Sequence, residues 1–168
     1  MDIHSAIRQR RSIRKYKSGV TVSDEDIKKI LEAAMMAPSA CNTRPWELFV
    51  FKSEEARERV MKLHQNALHL KNASVAILVS AIPDAQKDAA SGFYPQDCGA
   101  AIENMLLESL GLGYGAVWCG IYPREDRVEN YRKEFGITST PLALVIIGKA
   151  DEAPSARGFY DESKVTVL

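Results

Sequence analysis

An α+β fold is the class this sequence predicts, and three observations carry it. Segments with helical apolar spacing alternate with short apolar or β-branched runs, giving about four core strands among five or six helices. The alternation lacks the strict strand–helix–strand rhythm of a parallel sheet, so a mostly antiparallel central sheet flanked by helices is expected. No repeat, low-complexity tract or linker divides the 168 residues. That length suits one domain, residues 1–168, burying roughly 70% of its unfolded surface.

The elements follow in order. Asp2 is placed to cap a first helix with Ile3, Ala6 and Ile7 on one face, running into a basic cluster and breaking near Ser18-Gly19. Ser23 and Asp26 form a capping-box pattern for a second helix. Asp24 and Glu25 sit in its positive first turn, and Ile27, Ile30, Leu31 and Ala34 line one face. That helix must end before Pro38, because the residue preceding a proline is pushed from helical geometry. Residues 38–46, PSACNTRPW, read as a polar loop, and Trp46 to Phe51 as a strand. Ser53 caps a charged helix through about Leu63, followed by a less regular helical piece with His64, Asn66 and His69.

Ser74 to Ile82 is short and apolar, which favours a buried strand. After a polar connection over 83–95, the longest helix runs from about Gln96 to Leu112. Its Gly99-Ala100-Ala101 patch suits close approach of another backbone. A strand over Ala116–Gly120, a helix over Arg124–Phe135 ended by Gly136, and a buried strand over Leu142–Gly148 follow. The last twenty residues form a polar tail with a final strand at Val165–Val167.

Composition narrows the function. Twenty-two basic residues balance 22 acidic ones, which argues against nucleic acid as the main partner. No run approaches the ~20 apolar residues of a membrane span and no basic-then-apolar leader opens the chain. A cytoplasmic protein is expected. Cys41, Cys98 and Cys119 form no CxxC and no histidine pair has metal spacing, so no metal site is expected. Cys98 and Cys119 read as core residues and Cys41 as more exposed, with nothing local to support a cysteine nucleophile. His4, His64 and His69 read as surface residues. GLGYGA at 111–116 matches a dinucleotide fingerprint, but a helix precedes it and a strand follows, so it reads as a helix cap and tight turn.

Against that background the cluster Ile7–Tyr16 stands out, with Arg8, Arg10, Arg11, Arg14 and Lys15 around Ser12. Guanidinium forks beside a hydroxyl suit a phosphate. The alternative is a solvated helix end, where cations are favoured near the last carbonyls. With anion-binding arginines, including Arg157, and no evident acid, base or nucleophile, a cofactor is the natural carrier of chemistry.

RRSIRKY at 10–16, APSACNTRPWELFVF at 37–51, GLGYGAVWCGIYP at 111–123 and the tail with Arg157 occur in an order that resembles the nitroreductase family of FMN-dependent oxidoreductases. The resemblance covers essentially the whole chain. It implies the nitroreductase-like α+β fold and an intertwined homodimer with two FMN sites at the interface. By motif position Arg10, Arg11, Ser12 and Arg14 would grip the flavin phosphate and ribityl chain, with Arg157 reaching the phosphate. The loop Pro38, Ser39, Ala40, Cys41 and Asn42 would approach the flavin of the other subunit. Asn66 would lie near the pyrimidine edge, and backbone around Cys119 and Gly120 near N5. The activity implied is hydride transfer from NADH or NADPH through flavin to a nitroaromatic or quinone, by a ping-pong mechanism with no essential side-chain acid or base. The alternatives are a non-catalytic flavin-binding or redox-sensing module, or a specialised reaction such as reductive dehalogenation. Arg44 replaces the glutamine of many relatives, and the short stretch between Ser80 and Pro95 leaves little room for a lid, implying an open flavin face.

Overall fold

A computed structural model describes all 168 residues. Its α-helices are α1 (Ile3–Gln9), α2 (Asp24–Met35), α3 (Glu54–Leu63), α4 (Tyr94–Gly111) and α5 (Glu125–Phe135). Its strands are β1 (Trp46–Phe51), β2 (Val75–Ala81), β3 (Gly115–Gly120) and β4 (Thr140–Gly148). The four strands form one sheet in the order β1-β2-β4-β3, and every pairing is antiparallel. No helix is long and apolar enough to cross a membrane.

The central strands β2 and β4 are buried along their whole length because helices cover both faces. Strand alternation sorts their side chains. Val75, Ile77, Val79, Ala143, Val145 and Ile147 join α2 and α4 in one core layer. Ala76, Leu78, Leu144 and Ile146 join Val60 of α3 and Val128 and Tyr131 of α5 in the other. α2 follows its caps: Ser23 Oγ accepts from the Asp26 N–H at 3.0 Å, and Ile27, Ile30 and Ala34 are buried. At the end of α5, Gly136 takes the left-handed conformation (φ +65°) that closes the helix. The glycines after α4 serve a turn into β3, with Gly113 at φ +81°.

Several expectations are corrected. α1 stops at Gln9, so Arg8 is helical but Arg10, Arg11, Arg14 and Lys15 are not. Residues 12–16 are instead extended, bridging to β3 at Ser12–Ala116 and to Ala150 at Tyr16. Tyr16 anchors this segment from below, donating from its hydroxyl to the carbonyls of Ile13 (2.6 Å) and Ile146 (3.2 Å). α4 starts two residues earlier than expected, accommodating Pro95 in its first turn, where no N–H is needed. No strand forms at Val165–Val167; a 3₁₀ turn covers Glu162–Lys164 and the residues after it are exposed. His64 is buried, not at the surface. The small patch of α4 is partly used within the chain: the Trp118 ring lies 3.6 Å from where a Gly99 side chain would begin.

Candidate functional site

The basic segment is held where it lies by β3. Ile13 donates its N–H to the Ala116 carbonyl at 2.9 Å. Gly115 permits this approach: a β-carbon there would sit 2.7–2.9 Å from three atoms of Ile13. Ile13 points into the core, so its neighbours Ser12 and Arg14 turn outward. They line a groove of about 910 Å³ with Arg8, Arg10, Arg11 and the tail residues Pro154 to Tyr160, Arg157 among them. Five residues singled out in the sequence, Arg10, Arg11, Ser12, Arg14 and Arg157, are thus brought together.

The positive charge in this groove is only partly offset. Arg10 pairs with Glu103 of α4 at 3.1 Å, but Arg8, Arg11, Arg14 and Arg157 are in no ion pair. The one carboxylate lining the groove is Glu152, and it is engaged by backbone: Oε1 accepts from the N–H groups of Arg14 (2.5 Å) and Lys15 (3.0 Å). The Arg14 N–H above all holds the Glu152 carboxyl below its usual range. Glu152 therefore ties the tail to the basic segment. A tail of polar residues gave no signal for this tether.

The second cluster lies further along β3. Cys119 is buried and its Sγ donates to the Asn66 carbonyl at 3.3 Å. Burial pushes its thiol up to about 11, so it is a thiol and not a nucleophile at neutral pH. The Gly120 carbonyl accepts from His64 Nε2 at 2.9 Å and from Arg127 Nη1 at 3.0 Å. His64 and Arg127 were missed in the sequence. His64 sits in a polar segment that only the tertiary fold buries, and Arg127 reads as one of many exposed cations of α5.

Pro38, Ser39, Ala40 and Asn42 do not line the groove of their own chain. Ala40–Asn42 form a 3₁₀ turn, and Cys41, Asn42 and Arg44 have φ of +49°, +54° and +49°. Local bonds keep these unfavourable conformations: Arg44 N–H to Ser39 Oγ at 2.9 Å, and Arg44 Nε to Asn42 Oδ1 at 3.1 Å. Asp97, in the first turn of α4, grips the loop by accepting the Ala40 N–H with both oxygens at 3.1 Å. Gln86 Nε2 donates to the same carboxylate at 2.6 Å. No group of acidic, cysteine and histidine residues has the arrangement of a metal site.

Known proteins share both this sequence pattern and this fold. The model of the nitroreductase family matches residues 7–68 and 61–149. A protein of Methanothermobacter thermautotrophicus, provisionally named an NADH dehydrogenase/NAD(P)H nitroreductase, is 41% identical over 167 residues, 98% of this chain and 86% of its own. The crystal structure of a Parabacteroides distasonis protein with the same provisional name superposes with a TM-score of 0.90 at 31% identity, covering 98% of this chain and 96% of that one. A provisionally assigned nitroreductase of Desulfovibrio desulfuricans, solved in complex with FMN, gives a TM-score of 0.84 at 27% identity over 100% and 97% of the two chains.

Proposed function

The chain belongs to the nitroreductase family, and from that premise we propose that it is an FMN-dependent NAD(P)H oxidoreductase acting as a homodimer, with residues 1–168 forming one FMN-binding domain. The single observation that carries this reading is the groove that Arg8, Arg11, Arg14 and Arg157 line together with Ser12, none of the four guanidiniums forming an ion pair. Clustered cations that outnumber the nearby carboxylates repel one another, and a phosphate dianion relieves this while accepting paired guanidinium bonds. The residues present therefore fit FMN. The FMN bound by the Desulfovibrio desulfuricans relative supports the choice.

FMN, when bound, supplies two-electron hydride chemistry in a ping-pong cycle, with NADH or NADPH as donor and a nitroaromatic or quinone as acceptor. The work of the chain is to bind and orient. Arg10, Arg11, Ser12, Arg14 and Arg157 hold the phosphate and ribityl end. Asn66 and the backbone of Cys119 and Gly120 border the ring. The loop Pro38, Ser39, Ala40 and Asn42 serves the second subunit's site, which accords with its lying outside the groove of its own chain. No side chain need act as acid or base, since solvent supplies protons at an open face.

A steady-state assay of NADH and NADPH oxidation with menadione or a nitrofuran tests this. Multiple turnovers per FMN are expected. Reduction that stops at one equivalent per flavin would instead identify a binding or sensing module.

A further inference from the structure

The free edge of β3 carries an arrangement that the sheet itself does not need. β3 is an edge strand, paired within the sheet only to β4. Ile121 donates its N–H to the Leu142 carbonyl at 2.9 Å, so Ile121 takes a hydrogen-bonded position of the antiparallel ladder. By alternation, the N–H and C=O of Gly120, Trp118 and Ala116 point away from β4, off the edge. Near the basic groove that edge is covered, because the Ile13 N–H caps the Ala116 carbonyl. Gly120 lies four residues further on, about 13 Å at strand rise.

At Gly120 the carbonyl is held by two side chains. His64 Nδ1 accepts from the Asn66 N–H at 3.1 Å, which puts the ring proton on Nε2, and Nε2 donates to the Gly120 oxygen. Arg127 Nη1 donates to the same oxygen and lies 3.2 Å from Nε2. His64 is only 3% exposed. Water ordinarily satisfies an edge carbonyl, so a buried imidazole and a guanidinium on one oxygen go beyond what satisfaction requires. Their common effect is to fix the orientation of the Gly120 backbone. Gly120 itself adds a second observation. Its φ is not left-handed and nothing lies within 4 Å of where its β-carbon would be, so neither conformation nor packing calls for glycine. A glycine on such an open edge marks close approach by something outside the chain.

We propose that His64 and Arg127 are positioning residues that clamp the Gly120 carbonyl and thereby present the Gly120 N–H, at the open edge of β3, to the flavin ring. The proposal rests on the FMN reading above. A fixed N–H donor at the ring interacts more strongly as the ring gains electron density, so the clamp favours reduced over oxidised FMN. His64 also orders Asn66 through the bond to its N–H, so one imidazole places both ring-facing elements.

Dissociation constants for oxidised FMN and for FMN reduced anaerobically with dithionite, with melting of each apoprotein, test the clamp. His64→Leu and Arg127→Met should each lower the preference for reduced FMN by about tenfold, the loss of one oriented hydrogen bond. His64→Gln and Arg127→Lys, which keep a donor, should stay within about threefold of the wild-type preference. Gly120→Ala should weaken both forms while its apoprotein melts as the wild type does. Should His64→Leu fail to fold, Arg127→Met, at a half-exposed position of α5, decides alone. If the wild type binds FMN and the His64→Leu and Arg127→Met variants keep its full preference for the reduced form, the clamp alone is overturned. Wild-type protein that takes up no FMN overturns the flavin reading and the clamp with it.

Discussion

Replacing Arg14 with alanine removes one of the four arginines of the groove that form no ion pair. FMN affinity should fall roughly ten- to a hundredfold, the worth of a charge-assisted bond, while turnover at saturating FMN changes little. Titration of apoprotein and assay with excess FMN separate the two. Glu152 carries the pH dependence. Its folded carboxyl is held below the usual 4.5, so its tether is complete above that pH and is lost as pH falls through the folded value. Amide-exchange protection at Arg14 and Lys15 should therefore drop on acidification in the wild type and be low at every pH in Glu152→Ala, which has no acceptor oxygen. At this scale the arginines were legible in the sequence because guanidiniums beside a serine are chemically distinctive. Glu152 and His64 were not, since their partners lie far along the chain: 138 and 137 positions for Glu152, 56 for His64. Arg127 differs from its exposed neighbours on α5 only through the carbonyl it reaches.

Among the elements, the meeting of the basic segment with β3 matters most. Gly115→Ala would drive a β-carbon into Ile13, and such overpacking costs about 1–3 kcal/mol. Denaturant unfolding should register that loss. Since Ile13 lies between Ser12 and Arg14, FMN affinity should fall as well. The strands and the four longer helices were readable because period and burial agree in each, and Ser23 and Ser53 cap α2 and α3 where the pattern asks. The first helix was overextended because local propensity favours continuing through Arg10–Arg14. The actual boundary is set by the edge of β3, which captures Ile13 and Ser12, and by Tyr16 beneath them. The same limit applies to the tail: Val165–Val167 has strand-like residues but no strand beside it within the chain.

For the whole molecule, the apolar surface is unevenly spread. Ile3 and Ile7 of α1 and Phe159, Tyr160, Val167 and Leu168 of the tail are all exposed, at 59% or more. Single chains rarely leave this much large apolar surface in water, and the proposed homodimer gives it a destination. Light scattering on a sizing column should report twice the chain mass. Removing residues 158–168 should shift the protein toward monomer and cost FMN, because Gly158, Phe159 and Tyr160 line the groove.

On this account the chain holds FMN in its arginine groove, and NAD(P)H reduces it there. The visible absorption spectrum of the purified protein supplemented with FMN and desalted, taken before and after anaerobic NADH and then NADPH, tests this most directly. A retained flavin spectrum that bleaches with either nicotinamide is the expected result. A protein that emerges colourless from desalting, or a bound flavin that neither nicotinamide bleaches, would contradict it.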